Sequence, residues 1–511
     1  MSDNVDAKKK FEPEKILYIP HDNRPVVFEQ TIQAIEGAGY KVITPPNELL
    51  GNRDNLGDPE KLWEWLNKNT KKDIKAAIIS SDSLLYGSLV ASRKHNFEKE
   101  IIDERLELFK EFRKDHKKLP IYVFGSIMRT PRSAAASGYE EPDYYRNYGG
   151  NIFRYTALKD KLEMEGLSKR ESKELAFLEK LIPTRAIEDW MGRRKKNFSA
   201  NEKLIDMTRQ KIFNCLLLGR DDNAPYSQTH LENRYLSRYG ATIEKNIYQT
   251  ISGIDEVGII LLTRAINDKS KKVPTVFVKY NWGRGPDTIP AYSDEKIDTT
   301  IDAEILALSA KRISNESSAD LILTVNTNPR GLTFESGSSI NDSRNISETK
   351  YIVDSVQEYV DAGKAVAVAD ISFANGSDNS LMEQLKDRNL LFKINAYAGW
   401  NTPTNSTGFV LSEGLLSKKM TATNKKDILI TRYLDDWAYQ ANIREIISSQ
   451  LDWMRGQGLY DSLDDKRERV SLNCSNLMNH FVENNLSGFG INKNLRVEFP
   501  WNRMFEAKIK N

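Results

Sequence analysis

The alternation of strand and helix signals over residues 16–415 is the feature that most constrains the fold. An apolar run, a short polar segment and an amphipathic pattern follow one another repeatedly. Several runs are almost entirely β-branched and aliphatic, which is typical of strands buried on both faces of a parallel sheet. The predicted strands are 16–20, 40–46, 76–82, 121–129, 213–222, 247–256, 273–281, 319–328, 365–372 and 390–401.

Amphipathic segments between these runs predict the helices. Residues 26–39 end in a glycine stop, and residues 255–268 begin with acids that complement the helix dipole. Alternating strands and helices indicate an α/β fold with a mainly parallel sheet and right-handed crossovers. Such a series of strands fits a TIM-like barrel with extra elements or two doubly wound sheets. Both arrangements place ligand-binding residues at the carboxyl ends of the strands.

Two regions depart from the alternation. Residues 132–212 are charged and have helical patterns, which predicts a helical insertion or lid after the fourth strand. Residues 417–511 have helical periodicity followed by a mixed tail, which predicts a helical C-terminal cap. The α/β core then spans residues 15–416, and residues 1–14 form a polar N-terminal tail.

Composition excludes several classes of protein. The chain has 74 Lys and Arg against 72 Asp and Glu, so it lacks the charge excess of a nucleic-acid-binding protein. The sequence has no run of ~18 apolar residues, so it predicts no membrane-spanning helix. The polar N-terminus predicts a cytoplasmic protein, with a mature exported form as the alternative. The two cysteines and five histidines lack metal-binding spacing, so neither a metal nor another cofactor is predicted.

Asp221 and Asp222 end the fifth predicted strand and are the catalytic candidates. The sequence Asn-Ala-Pro at 223–225 follows, so the chain turns here and both carboxylates can converge. Two neighbouring carboxylates have separated pKa values, one staying ionised and one keeping a proton near neutrality. This pair suits acid–base cleavage of a glycosidic bond, and it also suits a divalent metal. A turn that caps the following helix is the structural alternative.

The other strand ends carry side chains that are predicted to bind substrate. Arginine can clamp a carboxylate, amides can bind hydroxyls, and a tryptophan ring can stack on a sugar. Helix capping is the alternative for Asp82, for Asp255 with Glu256, and for Asn405. The predicted substrate-binding residues are His21, Asp22, Arg24, Asp82, Arg129, Tyr226, Asp255, Glu256, Asn326, Asp370, Asn375, Asp378, Trp400, Asn401 and Asn405.

Short motifs occur in a fixed order along the chain. They include HDNRP at 21–25, D-x-LLYG-x-L-x-x-SR at 82–93, IMRTP at 127–131, EEPDYY at 140–145, DDNAPY at 221–226, DEVG at 255–258 and AGWNT at 398–402. Together they resemble the bacterial domain-of-unknown-function 4127 family over residues 15–505. The resemblance implies a bacterial origin and a shared site, and no particular reaction. Pro403 and Ser406 depart from the smaller or more apolar residues expected near AGWNT.

Three functions are compatible with these residues. The first is a carbohydrate-active hydrolase of the glycoside hydrolase type, with Asp221 and Asp222 as acid/base and orienting carboxylates. Barrel hexosaminidases use an adjacent Asp pair at a strand end, and this looser analogy extends the prediction to N-acetylated sugars. The second is a divalent-metal hydrolase with Asp22, Asp82 and the acid pair as ligands. The third is a non-catalytic protein that binds a sugar or a polyanion.

The predicted partner is therefore a small-molecule or oligosaccharide substrate. No nucleic acid and no membrane is predicted as a partner, because the charge balance and the absence of a long apolar run point away from both. The sequence leaves the oligomeric state open.

Overall fold

The computed structural model describes residues 12–132, 140–270, 272–452, 461–491 and 494–510. A strand is present in each of the runs predicted from the sequence. The strands are β1 Lys15–Ile19, β2 Lys41–Ile43, β3 Ile74–Ser80, β4 Ile121–Ile127, β5 Cys215–Arg220, β6 Tyr248–Ser252, β7 Thr275–Tyr280, β8 Lys311–Arg312, β9 Leu321–Asn326, β10 Phe334–Glu335, β11 Val366–Asp370, β12 Phe373–Ala374, β13 Ala396–Ala398, β14 Arg496–Glu498 and β15 Lys508–Lys510.

The long strands form two parallel sheets, which is the second of the two arrangements compatible with the sequence. The first sheet has the order β2-β1-β3-β4-β5-β6 and the second has the order β13-β11-β9-β7-β8. In each sheet the first strand lies between the second and the third strand along the chain. The two sheets therefore repeat one doubly wound order, with β1 and β7 in equivalent positions. Ligands bind such sheets where the strand order reverses.

Helices connect most of the strands. The α-helices are α1 Thr31–Gly37, α2 Pro59–Asn69, α3 Ser81–Tyr86, α4 Leu89–Lys94, α5 Lys99–Asp115, α6 Tyr145–Met164, α7 Lys169–Leu181, α8 Thr184–Arg209, α9 Gln228–Tyr239, α10 Val257–Ser270, α11 Ile297–Ala307, α12 Ile346–Asp361, α13 Asn379–Asp387, α14 Pro403–Leu416, α15 Ala422–Arg432, α16 Arg444–Asp452 and α17 Arg467–Asn485. Two further segments, Val26–Gln30 and Tyr433–Ile443, are π-helical. Among the described helices, none combines the length and the apolar character needed to cross a membrane.

Helix α14 joins the two sheets into one core. It packs against β11 and β13 of the second sheet and against α10, the helix that follows the last strand of the first sheet. One continuous apolar cluster contains Tyr18 of β1, Ile260 of α10, Leu323 of β9 and Val410 of α14. This shared core fixes the position of one sheet relative to the other.

The two irregular regions of the sequence lie around the sheets. Helices α6, α7 and α8 connect β4 to β5 within the predicted insertion, of which residues 133–139 lie outside the described residues. The C-terminal region is helical, and it ends in the two-stranded antiparallel sheet of β14 and β15. Residues 1–11 of the predicted N-terminal tail are also outside the described residues, and β1 begins at Lys15.

Candidate functional site

A cavity of about 150 Å³ lies at the carboxyl ends of strands from both sheets. This volume is smaller than the ~300–1,000 Å³ of pockets for drug-sized ligands. The predicted site residues that line it are Arg24, Arg129, Asp221, Asp222, Asp255, Asn375, Asn401 and Asn405. Further charged or aromatic lining residues are Arg93, Glu140, Tyr292, Asp461, Arg503 and Phe505. The structure thus places roughly half of the predicted site residues around one cavity.

The acid pair lies in the turn after β5. Asp221 Oδ2 accepts a hydrogen bond from Arg93 Nη2 at 2.5 Å, and Asp222 Oδ2 accepts one from Arg129 Nη1 at 2.9 Å. Asp222 has φ 34°, a left-handed conformation that Asp tolerates better than most residues. The backbone N–H of Asn223 donates to Tyr292 O at 3.0 Å. This turn therefore directs both carboxylates toward the cavity.

Capping of the next helix does not explain the acid pair. The N-cap of α9 is Ser227, whose side chain accepts from the backbone N–H of His230. Asn223 Oδ1 accepts from Ala224 N and from Ser227 Oγ, both at 2.8 Å. Asn223 thus stabilises the turn, and the two preceding carboxylates are available for other contacts.

The two acids have different environments. Burial and the neighbouring charge of Asp221 raise the pKa of Asp222 to about 6, although Arg129 opposes this. The Asp222 side chain is 26% exposed and that of Asp221 is 10% exposed. Asp222 is therefore the more accessible acid of the pair, and its raised pKa lets it keep a proton closer to neutral pH than an ordinary Asp.

Three arginines converge on Glu140 at one side of the cavity. The carboxylate accepts from Arg93 Nη1 at 3.0 Å, from Arg129 Nη2 at 2.6 Å and from Arg503 Nη1 at 2.7 Å. Burial opposes ionisation of Glu140, yet the charges of Arg503, Arg129 and Arg93 hold its pKa well below the ordinary value. Arg129 Nε also donates to Glu141 at 2.7 Å. These ion pairs hold the arginines of the cavity wall in fixed positions.

A second network connects the strand ends of the two sheets. Arg24, after β1, donates through Nη1 and Nη2 to both carboxylate oxygens of Asp255, at 2.9 and 2.6 Å. His21 Nε2 lies 3.0 Å from Asp255 Oδ1, and Asn401, after β13, donates to Asp255 Oδ2 at 2.6 Å. Burial would raise the pKa of Asp255, but Arg24 and His21 lower it. Asp255 is thus an ionised link between the sheets.

Second-sheet residues complete the rim of the cavity. The Tyr292 hydroxyl donates to Glu335 Oε1 at 2.7 Å, and Asn375 Nδ2 donates to Glu335 Oε2 at 2.9 Å. Asn405, in the first turn of α14, accepts from Ile254 N at 3.4 Å. An aromatic ring and amide side chains therefore line the cavity together with the acid pair.

Several predicted site residues lie away from the cavity lining. Asp82 accepts from Ser126 N at 2.9 Å, and burial raises its pKa to about 6. Tyr226 lies beside Lys161 and His230. The Trp400 ring is 1% exposed and packs against Phe505, with 5.7 Å between ring centroids, so it is not available to stack on a sugar.

Glu256 and Asp22 are buried behind the lining. Glu256 is fully buried, and among the described residues neither of its carboxylate oxygens has a hydrogen-bond partner. Burial raises its pKa well above the ordinary value. Asp22 accepts from Arg24 Nε at 3.0 and 2.9 Å, so it holds the guanidinium that contacts Asp255.

Four polar residues of the second sheet form a buried group, the second-sheet acid cluster: Asn326, Asp370, Asp378 and Tyr397. Asn326 Nδ2 donates to Asp370 Oδ1 at 3.0 Å and to Asp378 Oδ2 at 3.1 Å. Asp370 Oδ2 accepts from Asp378 N and from the Tyr397 hydroxyl, both at 2.7 Å. Asp378 also caps α13 by accepting from Ser380 N at 2.9 Å. The cluster stabilises the strand ends and does not line the cavity.

Sequence reasoning missed Arg93, which pairs with Asp221, and also Glu140 and Arg503, which belong to the adjoining ion-pair network. Arg93 lies within α4, Glu140 lies in the connection after β4, and Arg503 lies near the C-terminus, so none follows a predicted strand directly. Arg93 and Glu140 belong to the motifs D-x-LLYG-x-L-x-x-SR and EEPDYY. Charged residues inside those motifs were therefore the available signal for two of the three.

The carboxylates proposed as metal ligands are bonded to different partners. Asp22 pairs with Arg24, Asp82 with the Ser126 backbone, and the acid pair with arginines. Across the described ranges, no group of three or more His, Cys, Asp or Glu side chains has an arrangement that could hold a metal ion.

Comparison with known proteins identifies a family. A family model described as a protein of unknown function, DUF4127, matches residues 16–510. No curated protein and no solved structure gives a match. The matched range includes both sheets, the acid pair and the C-terminal region with Arg503. The chain belongs to the DUF4127 family.

Proposed function

We propose that the cavity is the active site of a carbohydrate-active hydrolase in which Asp222 is the acid/base. The observation that carries this proposal is the pair of adjacent carboxylates with unlike surroundings. Asp222 is a quarter exposed at the cavity and has a pKa raised to about 6, whereas Asp221 is held at 2.5 Å by Arg93. Carboxyl groups whose environments separate their pKa values are suited to divided acid and base roles.

The chemistry of each carboxylate follows from its surroundings. In its protonated form Asp222 donates a proton to the glycosidic oxygen as the bond from that oxygen to the anomeric carbon breaks. Asp221, paired with Arg93, stays close to the positive charge that develops on the sugar and orients the ring. A water molecule then adds to the anomeric carbon, and the proton that it loses passes to the Asp222 carboxylate, which restores the starting form of the site.

The remaining lining residues support a sugar as the substrate. Asn375, Asn401 and Asn405 provide amide groups, which can donate to and accept from hydroxyl groups. Tyr292 and Phe505 provide aromatic surface that can pack against the apolar face of a sugar ring. Asn401 is held by its bond to Asp255, so at least one of these amides is positioned before the ligand binds.

The two other functions considered from the sequence make different demands on the site. A metal hydrolase would require the acid pair to exchange Arg93 and Arg129 for a cation, which would take one carboxylate partner from each of these buried guanidinium groups. A non-catalytic binding protein would use the same lining residues without turnover. The ion pairs around the acids therefore favour the carboxylate hydrolase over the metal hydrolase.

A screen with aryl glycosides and aryl phosphoesters, with and without EDTA, tests the proposal. We expect a glycoside to be cleaved in EDTA, and Asp222→Asn to lower the rate by about 10²–10⁴, the usual contribution of general acid–base catalysis. Asp160→Asn is the matched control, because Asp160 is also a buried Asp paired with an arginine, Arg234 at 2.7 Å, and does not line the cavity. It should retain the wild-type rate.

Each alternative outcome identifies a different function. Full turnover by Asp222→Asn and by Asp221→Asn on every glycoside that the wild type cleaves would sink the proposal. Loss of activity in EDTA, restored by Mg²⁺ or Mn²⁺, would favour the metal hydrolase. Thermal stabilisation by a sugar without any turnover would favour the binding protein.

A further inference from the structure

The arginines of the cavity are already paired with protein carboxylates. Arg24 uses all three guanidinium nitrogens on Asp22 and Asp255. Arg129 uses its three nitrogens on Glu141, Asp222 and Glu140. A negatively charged ligand at these guanidinium groups would compete with the carboxylates of the protein.

Arg93 and Arg503 are engaged in the same way. Arg93 donates to Glu140 and Asp221, and Arg503 donates to Glu140 and, through two nitrogens, to Glu506. These contacts occupy the terminal nitrogens of both side chains. The guanidinium groups of the cavity therefore hold its own acids and leave little donor capacity for an anion.

The charge of the lining is negative overall. Its acids are Glu140, Asp221, Asp222, Asp255 and Asp461, and they outnumber the lining arginines Arg24, Arg93, Arg129 and Arg503 by one. The same arginines also bind Asp22, Glu141 and Glu506 immediately behind the lining. Neither a lysine nor a histidine is among the described residues of the lining. A cationic ligand would reduce this excess of negative charge.

Several acceptor atoms of the lining have no donor in the ranges that the structure describes. Asp461 lines the cavity and has neither a hydrogen bond nor an ion pair within the described part of the chain, and burial raises its pKa. Asn375 is only 7% exposed, yet its Oδ1 atom has no hydrogen-bond partner among the described residues. Asp222 bonds Arg129 through one oxygen and leaves the other free of any described donor. The site therefore requires a ligand that supplies hydrogen-bond donors.

We infer that the substrate is an amino sugar whose free, positively charged amino group lies beside Asp461 and the Asn375 Oδ1 atom. An ammonium group has three donors and a positive charge, which match the open acceptors and the negative lining. For the sugar part, this inference rests on the proposed function. It differs from the hexosaminidase analogy, because an acetamide is neutral and would leave the negative charge of the lining without a partner.

Isothermal titration calorimetry at pH 7 with glucosamine, N-acetylglucosamine and glucose tests the inference. We expect glucosamine to bind the full chain about ten-fold more tightly than either neutral sugar, the ratio that one additional ion pair in a partly buried site supplies. Asp461→Asn should reduce this preference to about two-fold or less. Asp160→Asn should keep the wild-type preference, since Asp160 lies outside the lining.

The outcomes separate the inference from the proposed function. Equal affinities for the three sugars would overturn the inference that the ligand carries an amino group, and the proposed sugar site would remain. An undiminished preference in Asp461→Asn would overturn the position beside Asp461. A different outcome is that cyclohexylamine binds as tightly as glucosamine while glucose and N-acetylglucosamine do not bind. That result would support recognition of an amino group and would contradict the proposed sugar hydrolase. Absence of binding by all three sugars would overturn the inference, while the glycoside screen judges the hydrolase independently.

Discussion

Each sheet places a pair of acidic side chains at the end of its strands, and the two pairs differ in exposure and in partners. Asp221 and Asp222 of the first sheet line the cavity and are bonded to arginines. Asp370 and Asp378 of the second sheet are buried and are bonded to an amide, a tyrosine and backbone N–H groups. In both pairs burial raises a pKa, of Asp222 to about 6 and of Asp370 to about 7.

The comparison separates two uses of a carboxyl group. A raised pKa by itself does not mark a reactive acid, because Asp370 has one and is fully buried. Access to a cavity together with an arginine partner distinguishes Asp222, since Arg129 keeps it in place while one carboxylate oxygen has no described donor. The first pair is thus suited to contact a ligand, and the second is suited to hold strand ends together.

The largest expected difference between the pairs is in stability. Asp370→Asn places an amide NH₂ group against the donors Asn326, Asp378 N or Tyr397, and we expect it to lower the free energy of unfolding at pH 7 by about 2–3 kcal/mol. Asp222→Asn should lower it by less than about 1 kcal/mol, because the wild-type carboxylate is crowded by Asp221. Urea denaturation measures both. Equal losses in the two variants would remove the distinction between a structural and a ligand-contacting pair.

The next effect is a pH dependence in the first pair. Because the pKa of Asp222 is raised from 3.8 to about 6, the folded chain binds more protons than the unfolded chain between these values. The stability that this group contributes is complete below pH 4 and is lost as the pH rises through 6. Relative to the wild type, Asp222→Asn should therefore gain about 1–2 kcal/mol between pH 4 and pH 7, a range that allows for partial exposure.

Urea denaturation at several pH values checks this prediction. Asp160→Asn is again the control. Burial would raise the pKa of Asp160 in the folded chain, but His230 and Arg234 lower it below the ordinary value. The stability of Asp160→Asn relative to the wild type should fall as the pH rises to about 5 and stay level above that, whereas that of Asp222→Asn should rise up to about pH 7. Parallel pH profiles for the wild type and Asp222→Asn would contradict the raised pKa of Asp222.

The smallest effect concerns a tyrosine beside each pair. The Tyr397 hydroxyl donates to buried Asp370 at 2.7 Å, so we expect Tyr397→Phe to cost about 1–2 kcal/mol of unfolding free energy. The Tyr292 hydroxyl donates to Glu335 near the cavity mouth, where water can replace it, and Tyr292→Phe should cost about 0.5 kcal/mol or less. Thermal denaturation compares the two. A larger loss for Tyr292→Phe would show that the cavity rim is the more strongly stabilised region.

Much of the fold follows from local patterns, and the exceptions have physical reasons. The runs around Ile78, Leu217 and Leu323 are long and apolar, which is sufficient to indicate buried parallel strands. Strands β8, β10 and β12 contain two residues each, so they have no periodicity to detect. Residues 26–39 were predicted as one helix, and the structure divides them into a π-helical turn and α1.

The site was predictable only where a side chain directly follows a strand. Arg129 and the acid pair were found in this way, and their contacts with one another depend on strands β4 and β5 being neighbours. Arg503 reaches Glu140 from a distant part of the sequence, which no local pattern records. The burial of Trp400 depends on Phe505 in the same way. Long-range packing therefore decides which strand-end residues face the cavity.

The bond from Asn401 to Asp255 has a consequence for how the protein could be divided. Asp255 belongs to the first sheet and Asn401 to the second, and both line the cavity. A fragment that ends near residue 270 would retain the acid pair with Arg93 and Arg129 but would lack the amides Asn375, Asn401 and Asn405 that line the cavity. Two separately expressed halves would thus regain a complete site only on reassembly, and ligand binding by the mixture would report that reassembly directly.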